Sequence, residues 1–292
     1  MQWKPDWGLR LRMFVTMFLL FVLYIVFVGV LAFVGVDLLG IVIVMGLFSL
    51  GQFFFSDRLA LWSMGAREVS EEESPRLHAS IERLSQQADL PKPRVAVADT
   101  GMPNAFATGR SRSSSTVCVT EGLLRTLDRD ELDGVLAHEL AHVKNRDVMV
   151  MTIASFLSTL AFIVVRWGWL FAGGRDRGGN QAPVWVAILA SIVVWIVSFL
   201  LIRALSRYRE FAADRGAAAI TGRPSALASA LMKISGNIDR VPKEDLREQA
   251  EMNAFFIIPI RSGFVGRLFA THPSTERRIE RLRELEREME TA

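Results

Sequence analysis

The 292-residue chain contains one cysteine, Cys118, and only four histidines. A single thiol excludes an intramolecular disulfide and any zinc site built from paired cysteines. Charge of one sign is also scarce: 34 Lys and Arg against 31 Asp and Glu leave a formal +3. So small and scattered a surplus carries no electrostatic footprint for nucleic acid, and no such partner is expected. Internal repeats are absent as well, which sets aside solenoids and propellers. What the chain has in abundance is apolar sequence. Hydrophobic residues make up 51% against 22% charged, and the mean hydropathy is +0.28. That balance excludes a disordered or fibrous chain and is too apolar for an ordinary soluble enzyme.

The apolar residues gather in four uncharged runs, 13–36, 38–56, 148–165 and 178–202, of 24, 19, 18 and 25 residues. A bilayer core of roughly 30 Å takes about 20 helical residues. The first run exceeds the short apolar core of a cleavable signal peptide and is expected to stay as an anchor. The third and fourth runs are expected as two more spans or, alternatively, as a buried or partly embedded helical hairpin. Lys4, Arg10 and Arg12 precede the first run, Arg58 and Arg67 follow the second, and Arg203, Arg207 and Arg209 follow the fourth. Arg175 and Arg177 are a smaller contrary signal. The positive-inside bias then assigns both termini and residues 57–147 to the cytoplasm.

Between and after the runs the sequence is patterned as a compact mixed domain. Residues 72–87 carry Leu77, Ile81 and Leu84 at helical spacing. Segments 94–98, 104–108 and 116–120 are expected as strands, with the polar 109–115 between the last two as a flexible loop. Asp128 and Glu131 form a capping-box start, and Leu132, Val135, Leu136 and Val143 make an apolar stripe, so 131–145 is expected as a helix. Residues 206–236 and 274–290 are expected as further helices.

The helix at 131–145 contains His138-Glu139-Leu140-Ala141-His142. Two imidazoles at i and i+4 share one helix face, as two ligands of a tetrahedral zinc require, and Glu139 between them is placed to act as a general base on water. With so few histidines in the chain, the pattern would arise by chance about once in 300 such sequences. A catalytic zinc needs a third ligand. Cys118 has the chemistry but lies in a Val and Thr strand, where a buried apolar role fits better. Glu210, on the helix leaving the fourth run, is the better candidate. Asp214, one turn further, is positioned to accept the other ring N–H of a zinc histidine. His142 lies about 9 Å of helix before the third run and Glu210 about 12 Å after the fourth. Both therefore emerge on one side of the membrane at similar depth.

The segments HELAHVKNRD at 138–147, SRYREFAAD at 206–214, NAFATGR at 104–110 and THPSTERRI at 271–279 resemble the HtpX membrane metallopeptidases, relatives of the CAAX prenyl endopeptidases. The resemblance covers nearly the whole chain. It implies one Zn2+ per chain held by His138, His142 and Glu210, with Glu139 activating water. It implies a membrane-bound zinc endopeptidase of prokaryotic inner membranes, acting in stress-linked quality control of misfolded or damaged membrane proteins, often with self-cleavage. It gives Asn104, Ala105, Phe106 and Ala107 a substrate-binding role as an edge strand that pairs with extended peptide. His272, resembling a family position near the site, is the candidate donor to the reacting carbonyl oxygen.

The expected architecture is an α-helical multi-span membrane protein with a cytoplasmic, mainly-α (α+β) zincin-type domain. Residues 1–56 and 148–205 form two transmembrane pairs, 57–147 the first part of the catalytic domain and 206–292 the second. Polypeptides and the lipid bilayer are the expected partners. Two other functions fit less well: a silent, zinc-stapled scaffold for unfolded proteins, and a prenyl-protein endopeptidase, whose class has more spans than four runs allow.

Overall fold

A computed structural model of the chain describes residues 6–33, 38–172, 182–238 and 273–291. The chain divides into two compact units. One comprises Asp6–Phe54 and Val150–Leu205; the other comprises Phe55–Met149 and the described residues from Ser206 onward. His272, Arg175 and Arg177 lie outside the described residues.

The described residues of all four apolar runs are helical. They lie in α1 (Trp7–Phe33), α2 (Leu38–Ser63), α6 (Asp147–Ala172) and α7 (Ala182–Thr221). Among the described residues two stretches, Trp7–Phe33 and Trp185–Thr221, are long and apolar enough to cross a membrane, with most of their surface facing outward. Phe14, Phe18, Phe21 and Ile25 on α1 and Leu189, Val193 and Ile196 on α7 are exposed, which in water would be a large apolar surface left unburied. Inside this unit Leu20, Phe27 and Leu31 pack with Ala154, Ala161 and Val194. Polar bonds join the same helices: Tyr24 Oη donates to the Ala154 carbonyl at 2.7 Å, and Ser198 Oγ to Ser158 Oγ at 2.9 Å. Small residues and hydroxyl contacts of this kind hold helices together where lipid offers no hydrophobic drive.

The other unit is built on a four-stranded sheet, β1 (Ala66–Glu68), β2 (Arg94–Ala98), β3 (Ala105–Thr108) and β4 (Thr116–Thr120), in the order β1-β2-β4-β3. β2 and β4 are parallel, and β1 and β3 are antiparallel edges. β1, too short and polar to show a pattern in sequence, pairs Ala66 with Ala98. Around the sheet lie α3 (Pro75–Gln87), α4 (Glu121–Thr126), α5 (Arg129–Asn145), α8 (Pro224–Ile238) and α9 (Thr275–Glu290). Leu77, Ile81 and Leu84 of α3 join Val135, Leu136 and Leu140 of α5 in one core. Each such side chain contributes about 1.5–3 kcal/mol by leaving water.

Three details depart from the sequence reading. The helix expected over 206–236 is broken: α7 ends at Thr221, Gly222 takes φ +68, and Pro224 opens α8. A left-handed glycine followed by a proline at the first helical position is a strong stop and restart. The first helix of this unit starts at Pro75, three residues later than residue 72, because Pro75 occupies the position where a missing N–H costs nothing. The 109–115 stretch is an ordered turn. Ser111 and Ser114 cap each other, and Arg112 donates to the Lys144 carbonyl at the end of α5 at 2.7 and 3.1 Å.

Candidate metal centre

The centre is assembled by α5, α6, α7 and α9. α5 begins with a reciprocal cap, in which the Asp128 carboxylate accepts from the Glu131 N–H and Glu131 from the Asp128 N–H, both at 3.0 Å. Lys233 and Ser229 of α8 donate to Glu131 at 2.6 Å each and tie that end down. From Gly134 to Ala141 every residue of α5 is buried. Two histidines and a glutamate in such a helix need polar partners, and they have them.

His138 and His142 face each other with their Nε2 atoms 3.1 Å apart. Glu210 closes the triangle: its carboxylate oxygens stand 3.6 Å from His138 Nε2 and 3.5 Å from His142 Nε2. One ligand atom from each lies within 4.8 Å of the others. Tetrahedral zinc with bonds of about 2.0–2.2 Å places its ligand atoms about 3.3–3.5 Å apart, so two imidazoles and a carboxylate at these separations fit the ion. The centre is buried, with His142 its partly exposed member.

Each histidine is held from behind. His138 Nδ1 lies 3.0 Å from Asp214 Oδ1, and His142 Nδ1 lies 2.5 Å from Asp147 Oδ2. Both carboxylates are themselves paired with arginine. Arg278 of α9 donates to Asp214 at 2.6 and 2.9 Å and stands 3.3 Å from Glu210. Arg209 lies against Asp147 Oδ1. Two parallel His–Asp–Arg chains therefore converge on Glu210 and its neighbour.

These contacts set the charges in the metal-free protein. Burial and the Arg278 charge oppose the His138 imidazolium, but hydrogen bonds to Asp214 and Glu210 outweigh them and push the ring up to about 9. Burial, reinforced by the nearby His138, pulls His142 down to about 4. Burial raises the Glu139 carboxyl, against a bond from the Ala107 backbone and the charges of the histidines. Asp214 is held below the usual carboxylate range because the Arg278 guanidinium and the His138 bond overcome its burial. Burial draws Arg209 down to about 10.

The sequence-derived residues are thus distributed as follows. His138, Glu139, His142, Glu210 and Asp214 come together. Asn104, Ala105, Phe106 and Ala107 lie on and beside the β3 edge, where Ala107 reaches Glu139. The Thr120 N–H donates to the Asn104 carbonyl at 3.0 Å. By strand alternation the backbone groups of Ala105 and Ala107 then face away from β4. Phe106 is buried with Ala96 and Cys118, so its side chain serves the core. Cys118 is wholly buried there, its thiol pushed up to about 12 by burial, and is no metal ligand. Asp147, Arg209 and Arg278 were not anticipated, although each lies inside or beside a motif.

Residues 71–286 match the family model described as Peptidase family M48. The chain is 56% identical to the protease HtpX homolog of Moorella thermoacetica, over 99% of this chain and 98% of that protein. It is 56% identical to protease HtpX homolog 2 of Methanosarcina mazei, over 99% of each. Among solved structures, Ste24p of S. mikatae is similar in fold, with a TM-score of 0.56 at 18% identity. That match covers 89% of this chain and 62% of that one.

Proposed function

Because the chain belongs to the HtpX family within peptidase family M48, and is a membrane metallopeptidase on that ground, we propose that it is a zinc endopeptidase in which Glu139 is the general base. The observation that carries the reading is the triangle of His138, His142 and Glu210 with the buried Glu139 beside it. Two neutral imidazoles and one carboxylate are the donor set of catalytic zinc, which keeps a fourth position open. When bound, the ion supplies Lewis acidity for the scissile carbonyl and makes water nucleophilic near neutral pH.

The chain's own residues do the rest. Glu139 takes the proton from the attacking water as the new C–O bond forms. It returns that proton to the amide nitrogen as the C–N bond breaks. The raised pKa that burial gives Glu139 suits a group that must hold the proton between these steps. The Ala107 N–H orients the carboxylate. An extended polypeptide is held along the outward backbone of Ala105 and the carbonyl of Ala107, with Asn104 and Phe106 anchoring the strand; this recognition is tolerant of sequence. His272 is assigned as the donor to the carbonyl oxygen.

The four apolar helices act as membrane spans, with both parts of the catalytic domain on the cytoplasmic face of a prokaryotic inner membrane. The arginines after the second and fourth runs support this orientation. A site close to the bilayer that reads peptide backbone suits misfolded or damaged membrane proteins, including copies of the chain itself.

The test is metal content and casein cleavage by detergent-purified protein, wild type beside Glu139→Gln, with chelation and zinc add-back. One zinc per chain in both proteins, with cleavage falling by about 10²–10⁴-fold in the variant, is the expected result. Undiminished cleavage by Glu139→Gln would remove Glu139 from the mechanism.

A further inference from the structure

His138 is braced by Asp214, an acid already legible as a partner because it lies one helical turn from Glu210. The brace on His142 is of a different origin. Asp147 follows His142 by five residues, a spacing that on a continuous helix does not bring the side chain back to the ring. The helix is not continuous. Arg146 takes the left-handed conformation, φ 56 and ψ 44, closes α5 and lets Asp147 open α6. That break returns the Asp147 carboxylate to His142 Nδ1 at 2.5 Å. Arg209, the residue before Glu210 on α7, lies against the other oxygen of Asp147 and is 3% exposed.

We propose that Asp147 and Arg209 are a paired positioning device for His142: Asp147 fixes the ring with Nε2 toward the metal, and Arg209 holds Asp147 in place. The inference rests on the zinc reading above. Asp147 touches neither substrate nor metal; it acts through His142, and Arg209 acts through Asp147. A carboxylate on the far nitrogen selects the tautomer with Nε2 free to ligate and raises the basicity of the ring, and losing such a partner weakens metal binding about 10–100-fold. The pair also links ligands from two helices. His142 is joined through Asp147 to Arg209, the residue adjoining Glu210, so two of the three ligands are fixed relative to each other by an ion pair.

The plain alternative is that Asp147 only starts α6, as an acid in a first turn often does. Substitutions separate the two. Asp147→Ser keeps a helix-starting side chain but is too short to reach His142, Asp147→Asn keeps an acceptor oxygen without the charge, and Arg209→Met removes the counter-ion. The readouts are zinc affinity by chelator competition and the visible spectrum of the cobalt-substituted protein, with thermal unfolding of the metal-free forms as a control. The expected result is a 10–100-fold loss of affinity and an altered cobalt spectrum in Asp147→Ser, a smaller loss in Asp147→Asn, and no further loss when Arg209→Met is added to Asp147→Ser. Wild-type affinity and spectrum in Asp147→Ser would overturn the positioning role. Full additivity of the two losses would overturn the pairing. If the wild type binds no zinc, the zinc reading itself fails; if it binds zinc and the variants match it, this inference alone fails.

Discussion

Arg278 donates to both carboxylate oxygens of Asp214, at 2.6 and 2.9 Å, across sixty-four residues of sequence. It is the largest side chain buried completely in the protein's described residues, at 1% exposure. A guanidinium taken that far out of water is tolerable only with its charge matched, and Asp214 and Glu210 match it. Arg278→Ala should leave those two acids buried with only the His138 charge against them, a loss of about 3–5 kcal/mol. Arg278→Lys keeps the charge but not the two-pronged geometry and should fall between. Thermal unfolding in detergent, with zinc content measured alongside, checks the order. Equal stability of Arg278→Ala and wild type would mean that the clamp does not hold the fold.

The packing of α5 on α8 gives a second prediction, independent of the metal. A Cβ at Gly134 would stand 2.9 Å from the Leu227 backbone nitrogen and 3.1 Å from its Cα. Backbone cannot yield as a flexible side chain does. Gly134→Ala should therefore destabilise by about 1–3 kcal/mol despite the better helix propensity of alanine. Its unfolding midpoint, compared with that of Ser225→Ala at an exposed position of α8, makes the measurement.

Local rules carried the sequence reading as far as neighbours along the chain extend. The capping box at Asp128 and Glu131, the period of α5 and the strands at 94–98 and 116–120 are all short-range signals, and the structure contains them. The imidazole pair is a one-turn signal and was equally visible. Arg278 is the opposite case. Its charge lies in a helix with Arg277, Arg281 and Arg283, and nothing local distinguishes the one that is buried. Asp147 escaped for a subtler reason: its approach to His142 depends on one backbone dihedral at Arg146, a residue type that rarely takes positive φ.

The outward backbone of Ala105 and Ala107 makes a prediction about substrates and leaves the enzyme untouched. A peptide paired to an antiparallel edge uses alternate backbone groups, so methylating alternate amide nitrogens near the scissile bond should raise KM while methylation at the intervening positions should not. Each lost bond is worth about 0.5–1.5 kcal/mol, or a 2–12-fold rise in KM. A series of N-methylated peptides gives the pattern. A flat response along the peptide would dismiss strand pairing and leave side-chain pockets to account for binding.

The proton on His138 sets how metal binding responds to pH. With its folded pKa raised to about 9 from an ordinary 6.5, the ring contributes stability to the metal-free protein that is complete below 6.5 and lost as pH rises through about 9. His142, pulled down to about 4, is already neutral at pH 7 and offers no competing proton. A metal that takes His138 Nε2 must displace its proton, so zinc and proton compete for one ring. Apparent zinc affinity should rise about tenfold per pH unit between 7 and 9 and level off above, with about one proton released per zinc at pH 7. Calorimetric titration in two buffers of different ionisation enthalpy counts that proton directly. Zero protons released at pH 7 would mean that His138 is neutral before the metal arrives, and that the carboxylates of Asp214 and Glu210 are balanced by Arg278 alone.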